Sequence, residues 1–105
     1  MSASYEETMT IPVAAADVWQ RAIQVLNSQQ GVSGVMTHPG VLTASVNTNW
    51  RSWGEKLSVH VDEAPGCTFV RIRSVCAFPL QIIDWGKNKD NVLKVRAGLD
   101  PSRRP

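Results

Sequence analysis

Two histidines, two cysteines and nine carboxylates are what this 105-residue chain offers to acid–base, nucleophilic or metal chemistry. Catalysis of the first two kinds needs a base held within hydrogen-bond reach of a nucleophile or a substrate proton. His38 stands in a His-Pro-Gly turn, and His60 falls between Ser58 and Asp62 on one face of an alternating segment. Ser58, His60 and Asp62 have the residue types of a triad without its geometry. Successive side chains on one strand face stand about 7 Å apart, beyond the hydrogen bonds a triad uses. The set reads as a solvated strand face. No His-x-x-x-His, Cys-x-x-Cys or acidic cluster has metal-ligand spacing, and Gly31-Val32-Ser33-Gly34 lacks the following helix of a phosphate loop. Cys67 and Cys76 lie on what reads as one strand, with alternation placing them on opposite faces. They read as small hydrophobes rather than as a disulfide. The expectation is a chain without catalytic residues, metal or cofactor.

Binding is the chemistry that remains. Trp50-Arg51-Ser52-Trp53-Gly54-Glu55-Lys56 sets two tryptophans among basic residues. Trp50 continues a core stripe, whereas Trp53 sits in a predicted loop beside Arg51 and Lys56, a combination suited to a partner contact or a membrane surface. Asn47, Asn49, Ser58, His60, Arg71 and Arg73 share the predicted outer face of the strands. A nucleic-acid reader would interleave aromatics with such groups for bases to stack on. Only Phe69 does so here, and nucleic acid is not the expected partner.

Charge supports a localised contact. Lys+Arg 11 against Asp+Glu 9 gives a net of +2. Residues 1–50 carry one basic and three acidic residues, a net of −2, while residues 66–105 carry eight basic and three acidic, a net of +5. An anionic partner therefore belongs on the C-terminal half. With 43% hydrophobic and 19% charged residues, the composition is that of a globular chain. No run approaches the roughly 20 apolar residues of a spanning helix. The N-terminus lacks a secretory pattern, so a cytoplasmic location is the default expectation.

The elements that must position these residues follow from periodicity. Tyr5, Glu7, Met9 and Ile11 alternate as a strand that Pro12 ends, and Glu6 and Glu7 point to opposite faces. From about Ala14 to Gln29, Val18, Ala22 and Val25/Leu26, widened by Trp19 and Ile23, form the apolar stripe of a helix. A short extended piece, residues 32–37, meets the turn at His38-Pro39-Gly40. Three strands follow: Leu42 to Trp50, Lys56 to Asp62, and Phe69 to Phe78. Matching faces across a four-residue Glu63–Gly66 loop pairs Val59 with Val70 and Leu57 with Ile72. The same matching across Arg51–Lys56 pairs Trp50 with Leu57. Trp85, Asn88, Val92, Val95 and Leu99 make one stripe of a final helix, with Asp84 placed to cap it. Asn88 is the polar member of that stripe. It is expected to lock the helix onto the sheet through backbone hydrogen bonds or to face a small cavity.

The order β-α-β-β-β-β-α implies one α+β domain over residues 1–105, with frayed ends at 1–4 and 100–105. Its two layers are an antiparallel sheet and two helices on one face. Two resemblances accompany this reading. Ile83-Asp84-Trp85-Gly86-Lys87-Asn88-Lys89-Asp90-Asn91-Val92 resembles the ending of a group of small uncharacterised bacterial domains, which implies no particular activity. Ile11-Pro12 followed by Ala16-Asp17-Val18-Trp19 is similar to the strand-to-helix entry of helix-grip (START-like, pollen-allergen-like) domains. That resemblance implies a sheet wrapped on a C-terminal helix around a ligand cavity. The chain is shorter than that pattern and has one N-terminal helix where the pattern has two.

Two functions are therefore expected. One is a non-catalytic binding or protein-interaction module that uses Arg51, Trp53, Lys56, Arg71 and Arg73. The alternative is a small apolar-ligand domain of helix-grip type, possible as an enzyme, lined by Trp19, Trp50, Val59, Ile72, Trp85 and Asn88. A cavity of at least about 300 Å³ under the last helix would mark the second. The sequence leaves oligomeric state open.

Overall fold

A computed structural model describes residues 4–47, 54–77 and 86–101. The elements run β1 (Ser4–Ile11), α1 (Ala15–Ser28), β2 (Val32–His38), β3 (Val41–Val46), β4 (Glu55–Ala64), β5 (Cys67–Cys76) and α2 (Lys87–Leu99). All five strands join one antiparallel sheet in the order β1-β5-β4-β3-β2. This is the expected α+β architecture. The first strand crosses over to pair with the last one, and β1 and β2 become the edges.

Strict alternation decides what the helices cover. Leu42, Ala44 and Val46 on β3, Leu57, Val59 and Val61 on β4, and Val70 and Ile72 on β5 are all buried on one face. The helices lie over that face: α1 packs toward β2, β3 and β4, and α2 toward β5 and β1. From α1 come Val18, Ala22, Val25 and Leu26, and from α2 Val92, Val95 and Leu99. The helices meet where Gly98 has no side chain: a Cβ there would lie 2.8 Å from a methyl of Val25. Thr68 is fully buried and donates its hydroxyl to the Val13 carbonyl at 2.6 Å, which fastens the β1–α1 connection to β5.

The strand faces are as expected, whereas two registers differ. Ala64 pairs with Cys67 across a two-residue Pro65-Gly66 turn, so Val59 faces Ile72 and Leu57 faces Ser74. Gly66 adopts a φ of 73°, the left-handed geometry that lets a tight turn replace the four-residue loop. Leu57 pairs on its other side with Ala44 rather than with Trp50, because β3 ends at Val46. Both shifts move the register by an even number of residues, which leaves every side chain on its expected face. The last helix begins at Lys87, with Gly86 at its cap in the left-handed region. Asp84, the expected cap, lies outside the described residues.

Candidate functional site

The buried centre of the inner face is apolar, with Thr68 at one end of β5 and a group of polar side chains at the other. There β4 begins and β5 finishes, and Glu55 pairs with Cys76 while Leu57 pairs with Ser74. Alternation along β4 and β5 turns Glu55, Ser74 and Cys76 inward, under the first turns of α2. Glu55 is 3% exposed, and Ser74 and Asn88 are fully buried. Burying such groups is costly unless each is hydrogen-bonded.

They satisfy one another. The Ser74 hydroxyl donates to Asn88 Oδ1 at 2.7 Å and accepts from Asn91 Nδ2 at 3.1 Å. Asn91 Nδ2 also donates to Glu55 Oε1 at 2.9 Å, and Asn88 Nδ2 reaches Cys76 Sγ at 3.4 Å. The result is a continuous chain from carboxylate to thiol between helix and sheet. Asn88 bridges α2 to the sheet through the side chains of Ser74 and Cys76 on β5, where backbone partners were expected. Beside this chain, Glu55, Asn91, Lys87 and Lys94 help line a pocket of about 40 Å³, enough for about two waters.

A second polar group closes the flank of α2 against β1. The Tyr5 hydroxyl donates to Glu7 Oε2, and Arg96 Nη1 donates to Glu7 Oε1. Those two donors, Tyr5 first, hold the Glu7 carboxyl below its ordinary value. The same hydrogen bond, with desolvation and the charge of Glu7, raises the Tyr5 phenol. Lys89 lies 6.0 Å from the centre of the Tyr5 ring, within cation–π range.

Of the residues the sequence proposed for a ligand, Val59 and Ile72 face each other in the fully buried centre of the sheet. Trp19 packs partly buried against the same core, and Asn88 lies under α2. Trp50 and Trp85 fall outside the described residues, as do Arg51 and Trp53 of the proposed partner contact. Lys56, Arg71 and Arg73 are exposed on the outer face. Lys56 and Arg73 share a groove of about 470 Å³ with Met36, which is 57% exposed. Arg71 and Arg73 each approach Glu6 at 4.0 Å.

Sequence reasoning overlooked Glu55, Asn91 and the Tyr5–Glu7–Arg96 group. Glu55 reads as part of a charged loop, yet extending the parity of Leu57 and Val59 by one step places it on the core face. Asn91 lies three residues after Asn88 and shares its helix face, a spacing that was available to read. The Tyr5–Glu7–Arg96 group joins residues 89 positions apart and had no local signal.

Ser58, His60 and Asp62 lie along the outer face, and no hydrogen bond joins them among the described residues. His60 pairs instead across from Arg71, and its Nδ1 is buried without a partner. Among the described residues no three His, Cys, Asp or Glu side chains cluster as metal ligands. No described helix is long and apolar enough to cross a membrane.

No protein-family model matches the chain, and no curated protein matches it. Solved structures do match. CalU16 from Micromonospora echinospora shares 14% identity with a TM-score of 0.61, over 94% of this chain and 77% of that one. A START superfamily protein from Mycobacterium smegmatis shares 7% identity with a TM-score of 0.60, over 94% and 95%. An uncharacterised protein from Bacillus thuringiensis shares 16% identity with a TM-score of 0.54, over 93% and 100%. At these identities the likeness is one of fold, and it supports the helix-grip similarity of Ile11-Pro12 and Ala16–Trp19.

Proposed function

We propose that this chain is a non-catalytic binding domain of helix-grip type. Its ligand is small, with an apolar body and a hydrogen-bonding head, and is held between α2 and the inner face of the sheet. The carrying observation is the buried chain Glu55–Asn91–Ser74–Asn88–Cys76 at one end of a core that is otherwise apolar apart from Thr68. A well-packed apolar filling at such a position is commonly as stable or more so. Polar groups concentrated at one end are suited instead to exchange their mutual hydrogen bonds for those of a ligand. The first turns of α2 contribute a single buried side chain, Asn88, before Val92 begins the apolar packing. The pocket beside that end is about 40 Å³, short of the roughly 300 Å³ of a preformed site. A ligand would therefore enter only by lifting the first turns of α2 from the sheet. Of the aromatic residues expected in the lining, Trp19 packs partly buried against the same core, and Trp50 and Trp85 lie outside the described residues. The fold likeness to a START superfamily protein supports this reading. The resemblance of residues 83–92 to small uncharacterised bacterial domains adds no activity to it.

Titration with 8-anilinonaphthalene-1-sulfonate, followed by dye fluorescence and amide shifts, tests the proposal. One saturable site is expected, with shifts at Ser74, Cys76 and Asn88. The double variant Ser74→Ala/Asn88→Leu should weaken it by about tenfold or more, the loss of one or two buried hydrogen bonds. Unchanged affinity in the variant, or shifts confined to the outer face, would overturn the proposal.

A second reading has the outer groove behind it. Lys56 and Arg73 beside exposed Met36, with Arg71 adjacent and Arg51 and Trp53 in the preceding segment, suit an acidic segment of a protein partner. A labelled polyglutamate peptide should bind at low ionic strength and be released by salt. Lys56→Glu/Arg73→Glu should abolish that binding, and retention of it would reject this reading.

A further inference from the structure

The C-terminal end of α2 and the adjoining side of α1 enclose a groove of about 350 Å³, at the opposite end of the helix from the buried polar chain. Its volume falls within the roughly 300–1,000 Å³ of small-molecule sites. The floor is apolar: Ile11, Val18 and Leu99, each almost wholly buried, come from three different elements. Two opposite charges stand on the rim, Asp17 and Arg21.

One turn apart on a helix, such residues are neighbours able to pair. Here they form no salt bridge, because Arg21 turns to α2 and donates from Nε to the Gly98 carbonyl at 3.1 Å. Gly98 stands where α2 comes so close to α1 that a Cβ would meet Val25, which brings its carbonyl within reach of Arg21. Anchoring through Nε leaves the two terminal nitrogens of the guanidinium, a planar fork that matches an oxyanion. Asp17 is exposed near the start of the same helix, free to accept from a cation.

We propose that this groove binds a small zwitterion with an apolar substituent, the chemistry of an apolar α-amino acid. Its carboxylate meets Arg21, its ammonium meets Asp17, and its apolar part covers Ile11, Val18 and Leu99. A simple carboxylate would leave Asp17 as a repelling neighbour, and a simple amine would leave Arg21 as one. The zwitterion is the ligand class that uses both charges. The site is separate from the one between α2 and the sheet and does not depend on it.

Three compounds with matched apolar chains test the proposal: norleucine, hexanoate and pentylamine. Calorimetry and amide shifts should show norleucine binding about tenfold or more tighter than the other two, as expected when a second charge-assisted contact is added. The shifts should fall on Val18, Arg21 and Leu99. Asp17→Asn should erase the preference over hexanoate, and Arg21→Gln the preference over pentylamine. Gln20→Trp, which covers the groove from its exposed rim without touching the Arg21–Gly98 contact, should abolish binding of all three. The proposal is overturned if hexanoate or pentylamine binds as tightly as norleucine. It is equally overturned if Asp17→Asn leaves the preference intact, or if the shifts fall on Ser74 and Asn88 instead.

Discussion

The two ends of α2 are fastened to the rest of the molecule by different physics. At the N-terminal end, Asn88 and Asn91 are held by hydrogen bonds to Ser74, Cys76 and Glu55. At the C-terminal end, Val92, Val95 and Leu99 are buried among apolar neighbours, and Gly98 lies directly against Val25. Hydrogen bonds contribute about 1 kcal/mol net because water or a ligand can replace either partner. Apolar burial has no such substitute and scales with the area removed from water. The helix is therefore fixed where it packs and exchangeable where it bonds, and the binding proposed under α2 uses the exchangeable end.

The comparison breaks first at the apolar end. Leu99→Ala removes a side chain that is 4% exposed and should cost about 2–5 kcal/mol, read from the urea midpoint. A cost below about 1 kcal/mol would mean that this end is not the anchor. Gly98→Ala comes next, at about 1–3 kcal/mol, because its Cβ would fall 2.8 and 2.9 Å from the two Val25 methyls. Adding Val25→Ala to that variant should recover part of the loss, since the interfering methyls are gone. No recovery would place the strain elsewhere.

At the polar end the expected effects are no larger than that of Gly98→Ala and are strongly coupled. Asn88→Leu removes the acceptor of the Ser74 hydroxyl and should cost about 1–3 kcal/mol, the penalty of a buried unsatisfied donor. With Ser74→Ala added, the orphaned hydroxyl is gone while Asn91 keeps its bond to Glu55, and part of that cost should return. A double-mutant cycle should give a coupling of about 0.5–3 kcal/mol. Additive costs would show that the two side chains act separately.

How much of this contrast could be read beforehand depends on which interactions are local. Alternation placed Leu57, Val59, Val70 and Ile72 inward and Ser58, His60, Arg71 and Arg73 outward, because the side-chain period of a strand is a property of the chain itself. Spacing likewise put Asn88, Val92, Val95 and Leu99 on one face. Register was not legible. Shifting β4 past β5 by two residues keeps every face the same, so hydrophobic matching cannot distinguish Val59–Val70 from Val59–Ile72. The Pro65-Gly66 geometry makes that choice. Burial of Glu55 was missed for a related reason: its charge argued for a loop more loudly than its parity argued for the core. The Arg21–Gly98 contact and the separation of Arg21 from Asp17 depend on how α1 and α2 meet, which no single segment encodes.

The flank of α2 carries the smallest expected effect and shows what a third kind of fastening does. Glu7 accepts from Tyr5 and Arg96, and its folded-state value lies below the ordinary 4.5. A carboxyl depressed by folding contributes stability that is fully present above its unfolded value and is lost as pH falls through the folded one. Tyr5 is shifted the other way, above 10.0, so folding favours its neutral form. That contribution is present below the unfolded phenol value and is lost as pH rises through the raised one. Together they give a plateau bounded by acid loss from Glu7 and alkaline loss from Tyr5. With Arg96 and Glu7 side chains 45% and 19% exposed, solvent screens the ion pair and the limbs are shallow. Urea midpoints measured across pH should show the acid limb flattened in Glu7→Gln. Tyr5→Phe should remove the alkaline limb and bring the Glu7 carboxyl, followed by its side-chain carbon shift, back toward its ordinary value. If Glu7→Gln keeps the wild-type acid limb, the flank does not fasten α2, and the contrast between its bonded and packed ends is the whole of its attachment.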